Sequence, residues 1–165
     1  MSETIERVCA REYARPPEGV FFNSASWGLI PSSSAEESAD LSLRRNRTHG
    51  FEERELGAGQ RRCRSVLADL IGADADEIAL VPNTTFGMSL AAAMTASGPP
   101  GDVIVSAGEF PANVLPWRSL ERRGFRVVVV PCGPDGLPDE QALLTAIEGP
   151  RVRALSVSMV QFASG

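Results

Sequence analysis

Three short segments of the chain carry side chains that could bind an anionic or aromatic ligand. Each of the three segments follows an apolar run: Asn83-Thr84-Thr85 follows residues 78–81, Phe110 follows residues 103–105, and Gln161 follows residues 152–160. Hydroxyl groups bind phosphate oxygens, an aromatic ring stacks on a flat ring, and a glutamine amide both donates and accepts hydrogen bonds. These are the places where polar and aromatic groups from separate segments would converge if the runs are strands of one sheet.

The Asn83-Thr84-Thr85 segment directly precedes a helix-like stretch over 86–95. Free amides in a first helical turn, hydroxyl groups beside them and the positive end of the helix dipole together favour phosphate binding. The alternative is that Asn83 or Thr84 only caps the helix, which is a common use of both residue types. The segment is too short to decide between these interpretations.

Phe110 and Gln161 each have a structural alternative as well. Phe110 either points into a cleft, where it stacks on a ligand ring, or is an ordinary core side chain. Gln161 either forms a hydrogen bond with a ligand or is an exposed loop amide. Both interpretations remain open on the local pattern.

The elements that must position these residues alternate from residue 77 onward. Four apolar runs predict strands over 78–81, 103–105, 125–130 and 152–160. Helices are predicted over 86–95, 113–123 and 140–147. Continuously apolar strands that alternate with helices indicate an α/β fold, with a mostly parallel sheet and helices on both faces. Right-handed crossovers place the carboxyl ends of such strands along one edge, where ligands bind.

The preceding part of the chain has a different pattern. Residues 1–19 are polar and end in a stretch with two prolines and a glycine, which predicts an N-terminal arm. Ser34 and Glu37 have the spacing of a capping box and predict a helix that continues to about residue 47. A second helix is predicted by one apolar stripe, closed by Gly72, that comprises Cys63, Val66, Leu67, Leu70 and Ile71.

Composition excludes several classes of function. A net charge of −5 and a pI near 5.0 argue against a nucleic-acid surface, which needs clustered basic side chains. The three cysteines and one histidine have no zinc-site spacing, so no metal site is predicted. No stretch approaches the length of a membrane span, and the first residues lack an apolar signal core. We therefore expect a cytoplasmic protein that contacts neither nucleic acid nor membrane.

Read together, these segments resemble those of class V aminotransferases and cysteine desulfurases. Leu-Val-Pro-Asn-Thr-Thr at 80–85, with the helix after it, resembles the phosphate-binding turn of that family. Glu-Phe-Pro-Ala-Asn-Val-Leu-Pro-Trp at 109–117 is similar to a Glu-Phe-Pro-x-Asn-x-x-Pro-Trp motif of members that include relatives of isopenicillin epimerases. Phe-Asn-Ser-Ala-Ser at 22–26 resembles the substrate-proximal N-terminal segment. The resemblance covers the chain from about residue 20.

The resemblance implies a fold-type I large domain that binds pyridoxal 5′-phosphate. It implies that Thr84 and Thr85, next to Asn83, bind the cofactor phosphate, and that Phe110 stacks on the pyridine ring. Gln161 would form a hydrogen bond near the phenolic oxygen of the ring. The residues that would line the substrate pocket are Ser24, Ala25 and Ser26.

Two departures from the family pattern bear on activity. Desulfurases have a histidine where this chain has Phe110, and a phenylalanine cannot transfer a proton, which argues against desulfurase activity. All 16 basic residues are arginines, so the chain has no lysine to form the Schiff base with the cofactor. No catalytic residue is therefore predicted in this chain.

Three hypotheses follow. In the first, residues 1–19 are an arm and residues 20–165 are the incomplete N-terminal part of the large domain of a dimeric enzyme. That enzyme would act on an amino acid by transamination, elimination or epimerisation, and the Schiff-base lysine would belong to a missing C-terminal part. In the second, the chain is a lysine-free subunit whose partner is a separate C-terminal half. In the third, it is a non-catalytic α/β module that binds a phosphoryl ligand.

Overall fold

The computed structural model describes residues 4–13, 20–24, 26–47, 49–50, 52–162 and 164–165. The chain divides into two compact units, an N-terminal unit over Met1–Ile78 and a C-terminal unit over Ala79–Gly165. No helix within the described ranges has both the length and the apolar character that crossing a membrane requires.

Among its described residues, the regular structure of the N-terminal unit is helical. It contains α1 (Ile5–Glu12), α2 (Ser32–Arg45) and α3 (Glu53–Ile71), followed by a 3-10 turn over Ala75–Glu77. The stretch predicted as an arm therefore includes a helix. Helix α3 ends as predicted, since Gly72 adopts the left-handed conformation at φ 71°.

The predicted start of α2 is wrong by three residues, because the N-cap is Pro31 and not Ser34. The carbonyl of Pro31 already accepts the amide of Ala35, so the helix begins at Ser32, ahead of the Ser34–Glu37 pair. Pro31, at φ −56° and ψ 142°, has the non-helical backbone that is typical of the residue before a helix. Ser34 is therefore an internal position of α2 and does not cap it.

The C-terminal unit is built on a three-stranded parallel sheet. Its strands are β1 (Asp102–Ser106), β2 (Arg126–Val130) and β3 (Val152–Ser156), in the order β2-β1-β3. All five residues of β1 are buried, as expected of a central strand with neighbours on both sides. The predicted parallel α/β sheet is confirmed.

The predicted strand at 78–81 is wrong in this structure. Ile78 has extended backbone angles, but Leu80 and Val81 are 42% and 39% exposed, and no described strand pairs with this segment. An apolar run supplies the side chains of a buried strand, whereas the strand itself forms only where a neighbour completes its hydrogen bonds.

Helices cover both faces of the sheet, which confirms the predicted layering. Val103 and Val105 pack with residues of α4 (Thr84–Thr95) and with Trp117 of the short α5 (Leu115–Arg118). Ile104 points to the opposite face, where it packs against Leu143 of α6 (Glu140–Ile147). This alternation follows from the two-residue period of side chains along a strand.

The helix predicted over 113–123 is broken into three pieces. A 3-10 turn over Pro111–Asn113 precedes α5, and a second 3-10 stretch over Ser119–Arg123 ends at Gly124, whose φ is 85°. Pro116 lies in the first turn of α5, where its missing N–H costs no helical hydrogen bond. A continuous helix from residue 113 would have placed Pro116 deeper, against the carbonyl one turn before it.

Candidate functional site

The carboxyl ends of β1 and β3 lie side by side at one edge of the sheet. Val105 pairs with Ser156, and both strands run in the same direction. The loop after β1 turns at Gly108, whose φ of 77° favours glycine, and leads to Glu109 and Phe110. The loop after β3 contains Gln161, so the topology brings two of the predicted segments to the same edge.

A carboxylate joins these two loops. Oε1 of Glu109 accepts the backbone N–H of Ser158 at 2.6 Å and Nε2 of Gln161 at 2.9 Å. Its Oε2 accepts Nδ2 of Asn113 at 2.8 Å and Oγ of Ser158 at 2.6 Å. An ionised carboxylate has about four lone-pair sites, so these contacts satisfy it completely.

The electrostatics favour the charged form of Glu109. Partial burial raises the pKa of the carboxyl, but the hydrogen bonds from Asn113, Ser158 and Gln161 together lower it more. The resulting pKa lies below the usual value for glutamate. Glu109 is therefore a carboxylate at neutral pH, and it acts here as an acceptor only.

Asn113 extends this network to the end of β3. Its Oδ1 accepts the hydroxyl of the buried Ser156, while its Nδ2 donates to Glu109. Because Asn113 closes the 3-10 turn that begins at Pro111, the network fixes the turn relative to the sheet edge. We call Glu109, Asn113, Ser156, Ser158 and Gln161 the edge network.

An aromatic pair lies next to the edge network. The rings of Phe110 and Phe162 meet edge to face, with centroids 5.1 Å apart and an interplanar angle of 64°. Phe110 is 48% exposed, so it is not a core side chain in this structure. A ring that is held by one neighbour and still exposed can present a face to a ligand.

Gln161 is not the exposed loop amide of the alternative interpretation. It is only 8% exposed, and one of its amide N–H groups is engaged by Glu109. The predicted hydrogen bond from Gln161 to a ligand therefore has to use its other N–H or its carbonyl oxygen. That role stays a prediction.

At the start of α4, Asn83 caps the helix and leaves the two threonines exposed. Oδ1 of Asn83 accepts the N–H of Phe86 at 2.9 Å, which is the capping interpretation for this residue. Thr84 and Thr85 are the first two helical residues, and helix geometry gives their N–H groups no intrahelical acceptor. Two backbone amides without an intrahelical acceptor and two exposed threonine side chains therefore lie at the positive end of the helix dipole.

The chain after Phe110 runs along α4 in the opposite direction. Nη2 of Arg123 donates to the carbonyl of Ala96, just past the C-terminal end of α4. Pro116 lines a common cavity with Ser89, near the middle of the helix. The turn over Pro111–Asn113 contacts α4 as well. Phe110 immediately precedes this turn.

The predicted substrate segment belongs to the N-terminal unit. The carbonyl of Asn23 accepts the amides of Ser26 and Trp27, so the backbone turns at this point. Ser24 and Ser26 are exposed, and Ala25 lies outside the described residues. The role of these three residues in a substrate pocket stays a prediction.

The sequence alone predicts no role for Glu109, Asn113 or Ser158. The sequence did indicate that Glu109 needs polar contacts, because a glutamate close to the end of a buried strand must find hydrogen-bond donors or reach solvent. The identity of those donors was not readable, since Ser158 lies 49 residues away along the chain. Across the described ranges, no group of three or more histidine, cysteine or acidic residues is arranged to hold a metal ion.

Comparison with known proteins gives a consistent family signal. The model of the class V aminotransferase family matches residues 35–165. The cysteine desulfurase CsdA of Escherichia coli is 31% identical over 156 residues, which is 89% of this chain and 39% of that protein. The isopenicillin N epimerase of Streptomyces clavuligerus is 30% identical over 161 residues, covering 90% of this chain and 38% of that protein.

Solved structures agree with the sequence relatives. The crystal structure of Escherichia coli CsdA superposes with a TM-score of 0.69 at 27% identity, over 94% of this chain and 41% of that chain. The apo cysteine desulfurase of Thermococcus onnurineus gives a TM-score of 0.74 at 22% identity, over 98% of this chain and 42% of that chain, and shows the shared fold. The chain thus spans about two fifths of the length of these proteins.

Proposed function

Because the chain belongs to the class V aminotransferase family, we propose that its C-terminal unit forms part of a binding site for pyridoxal 5′-phosphate. The observation that carries this proposal is the start of α4. There Thr84 and Thr85 offer two amides and two hydroxyls that Asn83 does not use, because Asn83 caps the amide of Phe86. Such a helix start suits a dianionic phosphate group.

Residues in the loop that follows β1 fit the ring of the cofactor as well. The half-exposed ring of Phe110 suits the flat face of a pyridine ring, and Phe162 supports it from the side. When bound, the cofactor supplies an electron-poor ring that stabilises negative charge on an attached substrate carbon. This chain contains no lysine, so it contributes only non-covalent contacts to that group.

Each residue then has a defined task. Thr84 and Thr85 hold the phosphate, and Phe110 covers one ring face and excludes water from it. Gln161 orients a polar substituent of the ring through the amide hydrogen that Glu109 does not engage. The resemblance of residues 22–26 to the substrate-proximal segment of the family is the ground for proposing Ser24, Ala25 and Ser26 as substrate contacts.

We propose a cytoplasmic, dimeric enzyme as the setting, with an amino acid as the substrate. Transamination, elimination or epimerisation suits the site better than cysteine desulfuration, because Phe110 has no group that can carry a proton. The absence of lysine favours two further candidates. In one, the chain is a lysine-free subunit that assists a separate C-terminal half, which carries the lysine. In the other, it is an α/β module that binds a phosphorylated ligand and catalyses no reaction.

Binding of pyridoxamine 5′-phosphate tests the proposal, since this form of the cofactor has no aldehyde and needs no lysine. In the natural protein that carries this chain, we expect saturable binding by isothermal titration calorimetry, with competition by inorganic phosphate. The Thr84→Ala/Thr85→Ala double variant should bind at least about tenfold more weakly, the equivalent of losing one or two charge-assisted hydrogen bonds.

The control is Thr145→Ala, which removes an exposed threonine hydroxyl from α6. It should leave the dissociation constant unchanged. Equal affinity of the wild type and the double variant would show that the phosphate binds elsewhere, and the proposal would then fail.

A further inference from the structure

Two residue pairs join the loop after β1 to the loop after β3. The members of the two pairs are neighbours in sequence within each loop. Glu109 contacts Gln161 through a hydrogen bond of 2.9 Å, and the next residue in each loop, Phe110 and Phe162, forms the aromatic pair at 5.1 Å. The position of one pair therefore constrains the other, because only one peptide unit separates them in each loop.

The carboxylate is the centre of this arrangement. In the described part of the chain, every hydrogen bond between residues 157–162 and residues 107–113 ends on Glu109. One of the donors is the backbone N–H of Ser158, so the contact fixes main chain as well as side chains. Without the Glu109 carboxylate, these described hydrogen bonds between the loop after β3 and the loop that carries Phe110 would all be lost.

Only a charged carboxylate satisfies all of these donors. An amide of the same shape at position 109 would present one N–H₂ group to donors that now face an oxygen. If that group took the Oε1 position, it would oppose the amide N–H of Ser158. At the Oε2 position it would oppose Nδ2 of Asn113, whose Oδ1 is already engaged by Ser156.

We propose that Glu109 is a positioning residue that sets the tilt of the Phe110 ring over the bound cofactor, acting through Gln161 and Phe162. This inference rests on the proposed function, because it assigns Phe110 to the ring of that cofactor. Glu109 itself contacts neither the ring nor the phosphate in this scheme. Glu109 affects how firmly the cofactor ring is held by Phe110. Thr84 and Thr85 hold the phosphate independently of Glu109.

Two ligands separate these effects in the natural protein that carries this chain. Inorganic phosphate reports on the start of α4 alone, and pyridoxamine 5′-phosphate reports on the phosphate and ring contacts together. For Glu109→Gln we expect about tenfold weaker binding of pyridoxamine 5′-phosphate, with phosphate affinity within about twofold of the wild type. The induced circular dichroism of the bound pyridine ring at saturation should fall, because its environment becomes less ordered.

Glu121→Gln is the matched control, since Glu121 is an exposed carboxylate in the same unit. It should change neither affinity nor the dichroism signal. A second variant, Phe162→Ala, removes a side chain that is mostly exposed, so the fold should tolerate it. It should reduce the induced dichroism and leave phosphate binding intact, and it tests the same coupling if Glu109→Gln does not fold.

The outcomes distinguish this inference from the proposed function. If the wild type fails to bind pyridoxamine 5′-phosphate, the proposed function falls and the inference falls with it. If the wild type binds and both variants keep its affinity and dichroism, only the inference is overturned. A parallel loss of phosphate and pyridoxamine 5′-phosphate affinity in Glu109→Gln would also overturn it, because a general structural role would then account for the effect.

Discussion

Asp102 and Arg126, the first residues of β1 and β2, are direct partners in the parallel ladder and are joined by two hydrogen bonds. Nε of Arg126 lies 3.1 Å from Oδ1 of Asp102, and Nη2 lies 2.6 Å from Oδ2. This paired geometry fixes the register of the two strands at their N-terminal ends, which lie opposite the strand ends that carry the candidate site. Correct register at this end places Ser106, and the loop after it, at the other.

The Asp102–Arg126 pair predicts a dependence of stability on pH. The hydrogen bond from Arg126 lowers the pKa of Asp102, outweighing the effect of burial. A lowered folded-state pKa means that the stabilisation is complete above the ordinary aspartate pKa of about 3.9 and is lost as the pH falls below it. We expect Asp102→Asn to lower the melting temperature by about 2–4 °C at pH 7.

The measurement is a series of thermal melts between pH 7 and pH 3. The gap between the wild type and Asp102→Asn should close as the pH falls below about 4. Glu121→Gln, an exposed carboxylate of the same unit, should follow the wild type throughout. A constant gap across the whole range would show that the loss comes from packing and not from the charge.

Substitution of Gly108, in the loop that carries Glu109 and Phe110, should destabilise the folded protein. Its φ is 77°, and the nearest atom to an added Cβ is Sγ of Cys132 at 4.0 Å, so conformation and not space limits substitution. Gly108→Ala should therefore lower the free energy of unfolding by about 1–2 kcal/mol. Urea denaturation measures this change.

Gly98→Ala is the control for Gly108→Ala. Gly98 does not have a positive φ, and an added Cβ would meet only an ordinary contact of 3.5 Å. Its urea midpoint should stay close to that of the wild type or rise slightly, because alanine reduces the entropy of the unfolded chain. Equal losses in the two variants would rule out backbone conformation as the cause at Gly108.

The sequence was informative where local chemistry determines local structure. The valines of β2, the apolar run of β1 and the stripe of α3 that Gly72 closes were all sufficient to place their elements. The family motif at 109–117 also located the loop that carries Phe110. In each case the residues that determine the structure are neighbours in the sequence, so their pattern is visible without the fold.

The sequence was uninformative where distant residues decide the outcome. Residues 78–81 resemble a strand, but strand formation depends on a pairing partner elsewhere in the chain. The edge network joins Glu109 to Gln161 across 52 positions, and only the parallel register of β1 and β3 brings them together. The strand predicted over 152–160 is also too long, because β3 ends at Ser156, and beyond it Ser158 forms hydrogen bonds with Glu109 and not with a neighbouring strand.

The absence of lysine predicts the outcome of a chemical test on the 165-residue chain. Borohydride fixes an imine between pyridoxal 5′-phosphate and an amine, and the only amine this chain offers is its N-terminus. Mass spectrometry of a proteolytic digest after reduction should find the adduct on the N-terminal peptide alone. An adduct on any internal peptide would contradict the prediction, and a lysine-containing protein treated in parallel shows that the reduction worked.

Substitution of Phe110 separates stacking from proton transfer. Phe110→Ala removes the ring and should weaken pyridoxamine 5′-phosphate binding by about 3- to 10-fold, the equivalent of an aromatic pair, while phosphate binding is unchanged. Phe110→His keeps a flat ring and should retain most of the affinity. Met94→Ala, at another exposed apolar residue of the same unit, is the control and should have no effect. Full affinity in Phe110→Ala would show that this ring does not contact the cofactor. Calorimetric titrations of the four proteins under one buffer condition make the comparison direct.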